Sequence, residues 1–280
     1  MTKTILITGS TDGIGLATAT VLSVQNHTVL LHGRSESKLV AAEQHIRTAG
    51  GTGALERYEA DLSDADAVVG MAQLVAANHQ ALDVLINNAG VFRLATSVAA
   101  NGIDMRFMVN TISPYLLTRQ LVPLLGEGSR VINLSSAAQA PVNREALTGG
   151  VPLDQGEAYA QSKLALTMWS NHLAHEFGGQ GPDVIAVNPG SFLGTKMVKE
   201  AYGTAGKDIG IGVDILVRAA TSDEFADASG RYFDNDSGQF ASPHPDALDH
   251  GKTAALVDLL DAMTAEVNPE LGNGVMNDKN

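Results

Sequence analysis

Short apolar runs alternate along this chain with longer segments in which apolar residues recur at helical spacing. The runs predict strands at residues 4–8, 28–31, 54–60, 82–86, 130–134, 184–187 and 230–233. The longer segments predict helices from residue 16 onward and at residues 38–49, 68–78, 103–125, 156–177, 209–221 and 254–263. This alternation is typical of one α/β domain with a doubly wound parallel sheet, which we expect over residues 1–280.

Four stretches follow neither pattern. Residues 137–157 are rich in glycine and proline and predict a loop. Residues 191–206 have the composition of a mobile segment but carry several large apolar side chains. Residues 233–246 are either an ordinary surface loop or a flap over a site, and we expect residues 269–280 to be a frayed tail.

Charge and composition narrow the classes of function. The 280 residues carry a formal net charge of −13, which disfavours nucleic acid and anionic membranes as partners. The chain contains no cysteine, which excludes disulfides, thiolate metal sites and cysteine nucleophiles, and we identify no metal-ligand set. We find no apolar run of about 18 residues that predicts a membrane span. The first strand begins too early for a signal peptide, so we expect a cytoplasmic protein.

A glycine-rich turn joins the first strand to the first helix. Gly9, Gly13 and Gly15 follow Thr8 in the spacing Gly-x-x-x-Gly-x-Gly. Between a strand and a helix, such glycines allow a tight turn, a close approach of the backbone to a pyrophosphate, and packing of the helix on the strand. The helix N-terminus then faces the anion. The alternative is an ordinary glycine turn without a ligand.

The ends of the second and third strands indicate which dinucleotide is preferred. An acidic residue after the second strand would bind the ribose 2′-hydroxyl of NAD(H), whereas an arginine accommodates the 2′-phosphate of NADP(H). Gly33 stands at the acidic position and Arg34 follows it. This favours NADP(H) and leaves NAD(H) open, unless Arg34 is only a surface charge. Asp61 ends the third strand and either accepts from the adenine amino group or caps the next helix.

Tyr159 and Lys163 stand four residues apart in the helix predicted for residues 156–177. Residues at this spacing lie on one face of a helix, so both side chains can point into one cavity. A tyrosine with the ordinary pKa of about 10 is a poor acid or base at neutral pH, and a nearby ammonium lowers that pKa. We therefore expect Tyr159 to exchange a proton with an alcohol or carbonyl oxygen. Surface packing of the two side chains is the alternative.

Amide and hydroxyl side chains follow three other predicted strands. Asn87 to Gly90 follow the fourth strand, Ser135 and Ser136 the fifth, and Asn188 to Gly190 the sixth. The carboxyl ends of parallel strands meet at one edge of a sheet, which suits a site there. Asn110 lies inside the helix predicted for residues 103–125, where asparagine competes for backbone hydrogen bonds. It is either buried and functional or solvent-facing.

The joint order of these motifs resembles that of the short-chain dehydrogenase/reductase family, over about residues 3–235. The resemblance rests on Thr8 to Gly15, Asn87 to Gly90, Asn110, Ser136, Tyr159 with Lys163, and Asn188 to Gly190. It implies a Rossmann-type fold and an oxidoreductase that transfers a hydride between NADP(H) and a carbonyl or secondary alcohol.

The resemblance also implies roles for individual residues. Tyr159 resembles the catalytic acid/base, and Lys163 the residue that holds the nicotinamide ribose and lowers the tyrosine pKa. Ser136 resembles the hydroxyl that polarises the carbonyl, and Asn110 the residue that helps to hold a water in a proton relay. The implied cofactor contacts are Gly9, Ser10, Thr11, Asp12, Gly13, Ile14, Arg34, Asp61, Leu62, Asn88, Ala89, Gly90, Tyr159, Lys163, Pro189, Gly190, Phe192 and Thr195.

Of two departures from the family pattern, one bears on the substrate and the other on the contact with the carboxamide of the cofactor. The gap between Ser136 and Tyr159 is long, similar to that of the retinol-dehydrogenase-like members, which suggests a bulky apolar substrate. The segment from Pro189 to Thr195 is one residue longer than usual, which affects the contact at the carboxamide. Large apolar side chains could line a substrate pocket or belong to the core; these are Phe92, Phe192, Met197 and Tyr202.

Other functions and assemblies fit parts of this pattern. A non-catalytic NAD(P)-sensing regulatory protein could use the same fold, but it would not need the full set of asparagine, serine, tyrosine and lysine. A sugar-nucleotide epimerase also uses tyrosine and lysine, with a longer chain and different glycine spacing. The partner we expect is a small carbonyl or alcohol substrate. Two long helices on the sheet suggest a homodimer or homotetramer by the same resemblance.

Overall fold

A computed structural model describes residues 1–265 and 267, so the predicted tail at residues 269–280 lies outside the described residues. The strands of the described part are β1 (Thr4–Ile7), β2 (Thr28–Gly33), β3 (Leu55–Glu59), β4 (Val84–Asn87), β5 (Arg130–Leu134), β6 (Asp183–Asn188), β7 (Tyr232–Asp234) and β8 (Gln239–Ala241). They form one sheet in the order β3-β2-β1-β4-β5-β6-β7-β8. Neighbouring strands are parallel except β8, which runs antiparallel to β7.

The helices cover both faces of this sheet. They are α1 (Gly13–Val24), α2 (Glu36–Thr48), α3 (Ala65–Asn78), α4 (Met105–Phe107), α5 (Ser113–Leu121), α6 (Arg144–Leu147), α7 (Gln155–Phe177), α8 (Lys196–Tyr202), α9 (Gly210–Thr221) and α10 (His250–Ala265). A π-helical turn, Met108–Ile112, connects α4 to α5. The predicted single α/β domain with a doubly wound sheet is confirmed.

Alternating strand residues build a core on each side of the sheet. Ile5 and Ile7 of β1 belong to one buried cluster, while Leu6 between them belongs to the other. Both faces of a parallel strand are covered by helices, so the run is apolar throughout. The chain order reverses between β1 and β4, and this switch opens a crevice at the carboxyl ends of the strands.

Three sequence-based expectations about irregular regions were incomplete. The expected loop at residues 137–157 contains α6, and the segment at residues 191–206 contains α8, which Thr195 caps by accepting from the Val198 amide. Residues 233–246 are not a loop alone, because β8 pairs with β7 in a hairpin. The pairing adds an edge strand that is too short to show a clear alternation in the sequence.

The helix predicted at residues 103–125 is interrupted. It is divided into α4, the π-helical turn, α5 and a short 3₁₀ turn at Val122–Leu124. A π-helical turn inserts one extra residue and occurs frequently at functional sites. Asn110 lies in the middle of this turn.

The C-terminal helix α10 lies on the outer side of α7 and α5. Leu256 and Leu260 of α10 are buried in the same apolar cluster as Trp169 of α7. The hydroxyl of Tyr115, on α5, donates to Asp261 of α10. The outward faces of the two long helices are therefore covered by a segment of the same chain.

Candidate active site

A cleft of about 1120 Å³ lies at the carboxyl ends of the parallel strands. It receives residues from both the first and the second half of the chain. Of the predicted site residues, those that line it are Gly9, Thr11, Asp12, Gly13, Ile14, Arg34, Asp61, Leu62, Asn88, Ala89, Gly90, Ser136, Tyr159, Lys163, Pro189, Gly190, Phe192 and Thr195.

The glycine turn has the geometry that its sequence predicts. Gly9 and Gly13 have φ angles of +66° and +56°, in the left-handed region that favours glycine. A Cβ at Gly13 would meet no atom within 4 Å, so this part of the backbone is open to a ligand. A Cβ at Gly15 would lie 2.3 Å from the Gly9 carbonyl oxygen, which shows how closely α1 packs on the turn.

The side chains of two residues predicted to touch the cofactor hold the turn in place. Ser10 is fully buried and does not line the cleft; its hydroxyl accepts from the His32 amide at 2.8 Å. Asn88 lines the cleft, but its side-chain amide donates to the carbonyls of Thr8 and Gly9 at 2.8 and 3.1 Å. The Ser10 hydroxyl is therefore not placed as a cofactor contact.

The adenosine end of the cleft carries basic and acidic side chains. Arg34 is exposed, with its guanidinium 4.0 Å from the Asp61 carboxylate. Asp61 accepts from the amide and hydroxyl of Ser63, at 2.9 Å each. Asp61 is not the helix cap, because Asp64 caps α3. A Cβ at Gly33 would lie 2.6 Å from Thr11, so an acidic side chain would not fit there without movement.

Asn110 is buried behind the cleft and does not line it. Its side-chain oxygen accepts from the Val91 amide at 2.8 Å, and its side-chain nitrogen donates to the Val91 carbonyl at 3.0 Å. The same nitrogen donates to the Ser162 hydroxyl at 3.0 Å. The solvent-facing alternative is wrong: the side chain joins the strand-end loop at Val91 to helix α7.

Ser136, Tyr159 and Lys163 converge in the cleft. The Lys163 ammonium lies 5.8 Å from the centre of the Tyr159 ring and donates to the Leu134 carbonyl at 2.7 Å. Ser136 lies close enough to the Tyr159 phenol to affect its pKa. Both serines of the pair line the cleft, but Ser135 is buried and its hydroxyl is 2.6 Å from that of Thr167, whereas Ser136 is more exposed.

The pKa of Tyr159 differs from the sequence-based expectation. Burial raises the pKa of Tyr159 above its ordinary value, although the neighbouring Ser136 lowers it in part. Burial also lowers the pKa of Lys163 to about 8. The expected lowering of the tyrosine pKa by the lysine is thus overturned, because desolvation of a phenolate disfavours the charged form. Tyr159 is a neutral phenol at pH 7.

The β7–β8 turn holds the segment that follows β6. Asp236 accepts from the amide and hydroxyl of Ser191, and Asn188 donates to both Asp234 and Asp236. Phe192 follows with a φ of +58°, which a residue with a side chain adopts rarely. These contacts fix the course of the chain where Pro189, Gly190 and Phe192 line the cleft.

Aromatic side chains surround the outer opening of the cleft. The ring of Phe92 lies 4.7 Å from that of Tyr159 and 6.1 Å from that of Tyr202, measured between centres. Phe192 contacts Tyr202 at 5.1 Å, and both are about half exposed. Phe92, Phe192, Met197 and Tyr202 all line the cleft, as one of the two sequence alternatives expected.

Several lining residues were not singled out from the sequence. Lys38, in the first turn of α2, follows Arg34 at the adenosine end, and Arg93 follows Phe92 on the substrate side. Their only sequence signal is a basic residue shortly after a strand end, which is common on any surface. His32 also lines the cleft although it is only 2% exposed. His32 directly follows the strand predicted at residues 28–31, and no role was predicted for it from the sequence.

Comparisons with known proteins agree with this geometry. Residues 3–206 match the family model for short chain dehydrogenase. The chain is 30% identical over 273 residues to retinol dehydrogenase 13 of Homo sapiens, covering 88% of this chain and 80% of that protein. It is 30% identical over 251 residues to polyprenol dehydrogenase of Homo sapiens, covering 82% and 76%. A crystal structure of an uncharacterized protein from Mycobacterium paratuberculosis is 26% identical, with a TM-score of 0.78 and coverage of 94% and 93%.

The fold and the cleft define a dinucleotide-dependent oxidoreductase. The chain belongs to the short-chain dehydrogenase/reductase family, and it is an NAD(P)-dependent enzyme of that family. Within the described residues, no helix is both long and apolar enough to cross a membrane.

The residues of the cleft fit an NAD(P) dinucleotide. The backbone at Gly13 is open, and a pyrophosphate at the N-terminus of α1 would replace the Asp12 carboxylate, which accepts from the Gly13 amide at 2.7 Å. Asp61 and Leu62 line the end that would hold adenine, and Lys163 lines the end that carries Ser136 and Tyr159. The cleft therefore brings together the residues that would hold the two ends of the family's cofactor.

Proposed function

We propose that this protein is an NADP(H)-dependent oxidoreductase that interconverts a carbonyl compound and the corresponding secondary alcohol. The observation that carries the proposal is the convergence of Ser136, Tyr159 and Lys163 in the cleft that the glycine turn also lines. The bound cofactor supplies or accepts the hydride. The experiment that tests it is a screen of aldehydes, ketones and alcohols with NADPH, NADH and their oxidised forms, followed over pH.

In the proposed mechanism, the side chains of the chain stabilise charge and move a proton. The hydroxyls of Ser136 and Tyr159 donate to the carbonyl oxygen as negative charge develops on it. Tyr159 then transfers its proton to that oxygen and completes the alcohol. Its raised pKa keeps the phenol protonated at neutral pH, and this is the form that carbonyl reduction requires. Lys163 holds the ribose and compensates the phenolate that remains.

The proposed preference for NADP(H) rests on the adenosine end of the cleft. Arg34 and Lys38 both line it and can pair with a 2′-phosphate. Gly33 leaves no space for the carboxylate that would bind a free 2′-hydroxyl, because Thr11 packs against it. An exposed arginine next to a single carboxylate contributes little to folding, so its position favours a role in binding.

Replacing Arg34 by alanine is expected to weaken NADPH binding by roughly ten- to a hundredfold, the value of a charge-assisted hydrogen bond. NADH binding should change little, because NADH has no 2′-phosphate. Fluorescence titration measures both dissociation constants. The matched control is Arg57→Ala, which removes an arginine that pairs with Glu36 and Glu43 outside the cleft. Equal losses for both cofactors would show that Arg34 does not recognise the phosphate.

We propose that the substrate is bulky and apolar around its reacting carbonyl. Phe92, Phe192 and Tyr202 give the outer cleft three aromatic faces next to Tyr159. Aromatic side chains bind apolar groups through large contact areas. Relatives named as retinol and polyprenol dehydrogenases act on alcohols of this kind, which supports the proposal. The carbonyl screen should therefore compare short aliphatic ketones with long-chain and aromatic ones.

We propose that the protein does not dimerise through α5 and α7. Their outward faces are covered by α10, and Tyr115 and Asp261 join the helices. A second copy could reach these faces only by displacing α10 and exposing its buried leucines. We expect no concentration-dependent protection of α5 and α7 from hydrogen exchange, whatever mass light scattering gives after gel filtration, and such protection would contradict the proposal.

A further inference from the structure

His32 is a buried histidine whose ring reaches the cofactor cleft. It is the penultimate residue of β2 and is 2% exposed. β2 lies between β1, which leads into the glycine turn, and β3, which leads to Asp61. The ring therefore stands between the two parts of the cleft that would hold the pyrophosphate and the adenine.

Both ring nitrogens of His32 have a backbone partner. Nδ1 lies 3.0 Å from the Gly9 amide nitrogen, and Nε2 lies 3.1 Å from the Ala60 carbonyl oxygen. An amide N–H only donates, and a carbonyl oxygen only accepts. Nδ1 must therefore be unprotonated and Nε2 must carry the hydrogen. The contacts define a neutral ring in one tautomer.

The charged side chains near the ring, Asp61 and Arg34, leave the imidazole neutral. Burial lowers the pKa of His32 to about 4, against the hydrogen bond to Ala60 and the Asp61 carboxylate, which raise it, while Arg34 lowers it further. The backbone of His32 is also tied to the turn: its amide donates to the Ser10 hydroxyl and its carbonyl accepts from the Ser10 amide at 2.9 Å. Gly9 and Ser10 are thus both held against β2.

We propose that His32 is a positioning residue for the cofactor, whose unprotonated Nδ1 fixes the amide of Gly9 and with it the pyrophosphate turn. The inference rests on the proposed cofactor site. Gly9 sits at a φ of +66°, and within the described part of the chain the hydrogen-bond partner of its amide is this ring. Gly9 is partly buried, and an amide in this position that loses its partner is destabilised, so the turn would move to satisfy it. The bond from Nε2 to Ala60 links the same ring to the β3 end that precedes Asp61 and Leu62.

Two conservative substitutions separate the two hydrogen bonds of the ring. In His32→Asn, the side-chain oxygen can accept from Gly9 in place of Nδ1, but the side chain is too short to reach Ala60. In His32→Gln, the side-chain nitrogen can donate to Ala60 in place of Nε2, but the acceptor for Gly9 is lost. The two variants differ by one methylene, so they form a matched pair.

NADPH dissociation constants from fluorescence titration, together with kcat on a reducible carbonyl compound, test the proposal. We expect His32→Asn to bind NADPH close to wild type, and His32→Gln to bind about tenfold more weakly, as for one lost hydrogen bond. The loss in His32→Gln should be larger in the dissociation constant for NADPH than in kcat at saturating NADPH, because the ring positions the turn and does not touch the reacting groups. A melting curve for each variant confirms that it is folded.

The outcomes distinguish this inference from the function on which it rests. Equal dissociation constants for the two variants, or a loss of kcat without a change in affinity, would overturn the positioning role. If the role of His32 is purely structural, both variants should have a lower melting temperature, and His32→Gln should not bind NADPH more weakly than His32→Asn. A wild-type protein that binds neither NADPH nor NADH would overturn the proposed function, and this inference with it.

Discussion

Tyr159→Phe is expected to lower kcat by about a thousandfold, within the range of general acid catalysis. The substitution removes the phenol hydroxyl, which interacts with Ser136, and leaves the ring that packs on Phe92 at 4.7 Å. The oxyanion then loses its proton donor and one of its two hydrogen-bond donors. NADPH affinity should be nearly intact, because the ribose contact proposed for Lys163 does not need the hydroxyl. Steady-state kinetics and fluorescence titration measure the two quantities separately.

A second tyrosine provides the control for this prediction. Tyr58 lies on β3 outside the cleft, and its hydroxyl contacts Glu56 and His79. Tyr58→Phe should change stability modestly and leave kcat near the wild-type value. A wild-type protein that binds NADPH but turns over none of the carbonyl compounds, with no effect of Tyr159→Phe on any property, would instead favour a nucleotide-sensing protein on the same fold.

Local spacing was enough to predict the parts of the site that a single segment determines. The glycine turn requires residues with a left-handed φ at fixed positions, and Gly9 and Gly13 have it. The four-residue spacing of Tyr159 and Lys163 on a helix places both side chains in one cleft. In each case, the chemistry depends on residues a few positions apart, so the sequence pattern contains the geometry.

Properties that depend on several segments were not predictable in the same way. The pKa of Tyr159 is raised because the tertiary fold buries the phenol, and no spacing along one helix reports that burial. Ser10 was expected to touch the cofactor, but its hydroxyl is buried and accepts a hydrogen bond from the backbone amide of His32 on β2. The short strand β8 was missed because its pairing with β7, rather than its own composition, defines it.

Gly15→Ala is expected to abolish measurable NADPH binding and to destabilise the protein by about 3 kcal/mol or more, as for severe overpacking. A Cβ at residue 15 would lie 2.3 Å from the Gly9 carbonyl oxygen and 2.4 Å from the Asn88 side-chain nitrogen. Neither atom can move away easily. The Gly9 oxygen belongs to the backbone, and the Asn88 side-chain nitrogen donates hydrogen bonds to the carbonyls of Thr8 and Gly9. Helix α1 must therefore move away from the turn that would hold the pyrophosphate.

A glycine in another helix separates this steric effect from the general effect of alanine. Gly70 lies in α3, and a Cβ there would meet no atom within 4 Å. Gly70→Ala should stabilise the protein by up to about 1 kcal/mol, because alanine favours the helix. Urea unfolding with and without NADPH measures both effects, since a ligand that binds the folded state raises the free energy of unfolding. Wild type and Gly70→Ala should be stabilised by NADPH, whereas Gly15→Ala should not. A Gly15→Ala protein that unfolds like wild type and is still stabilised by NADPH would show that α1 tolerates the displacement and that the close packing at residue 15 is not required for binding.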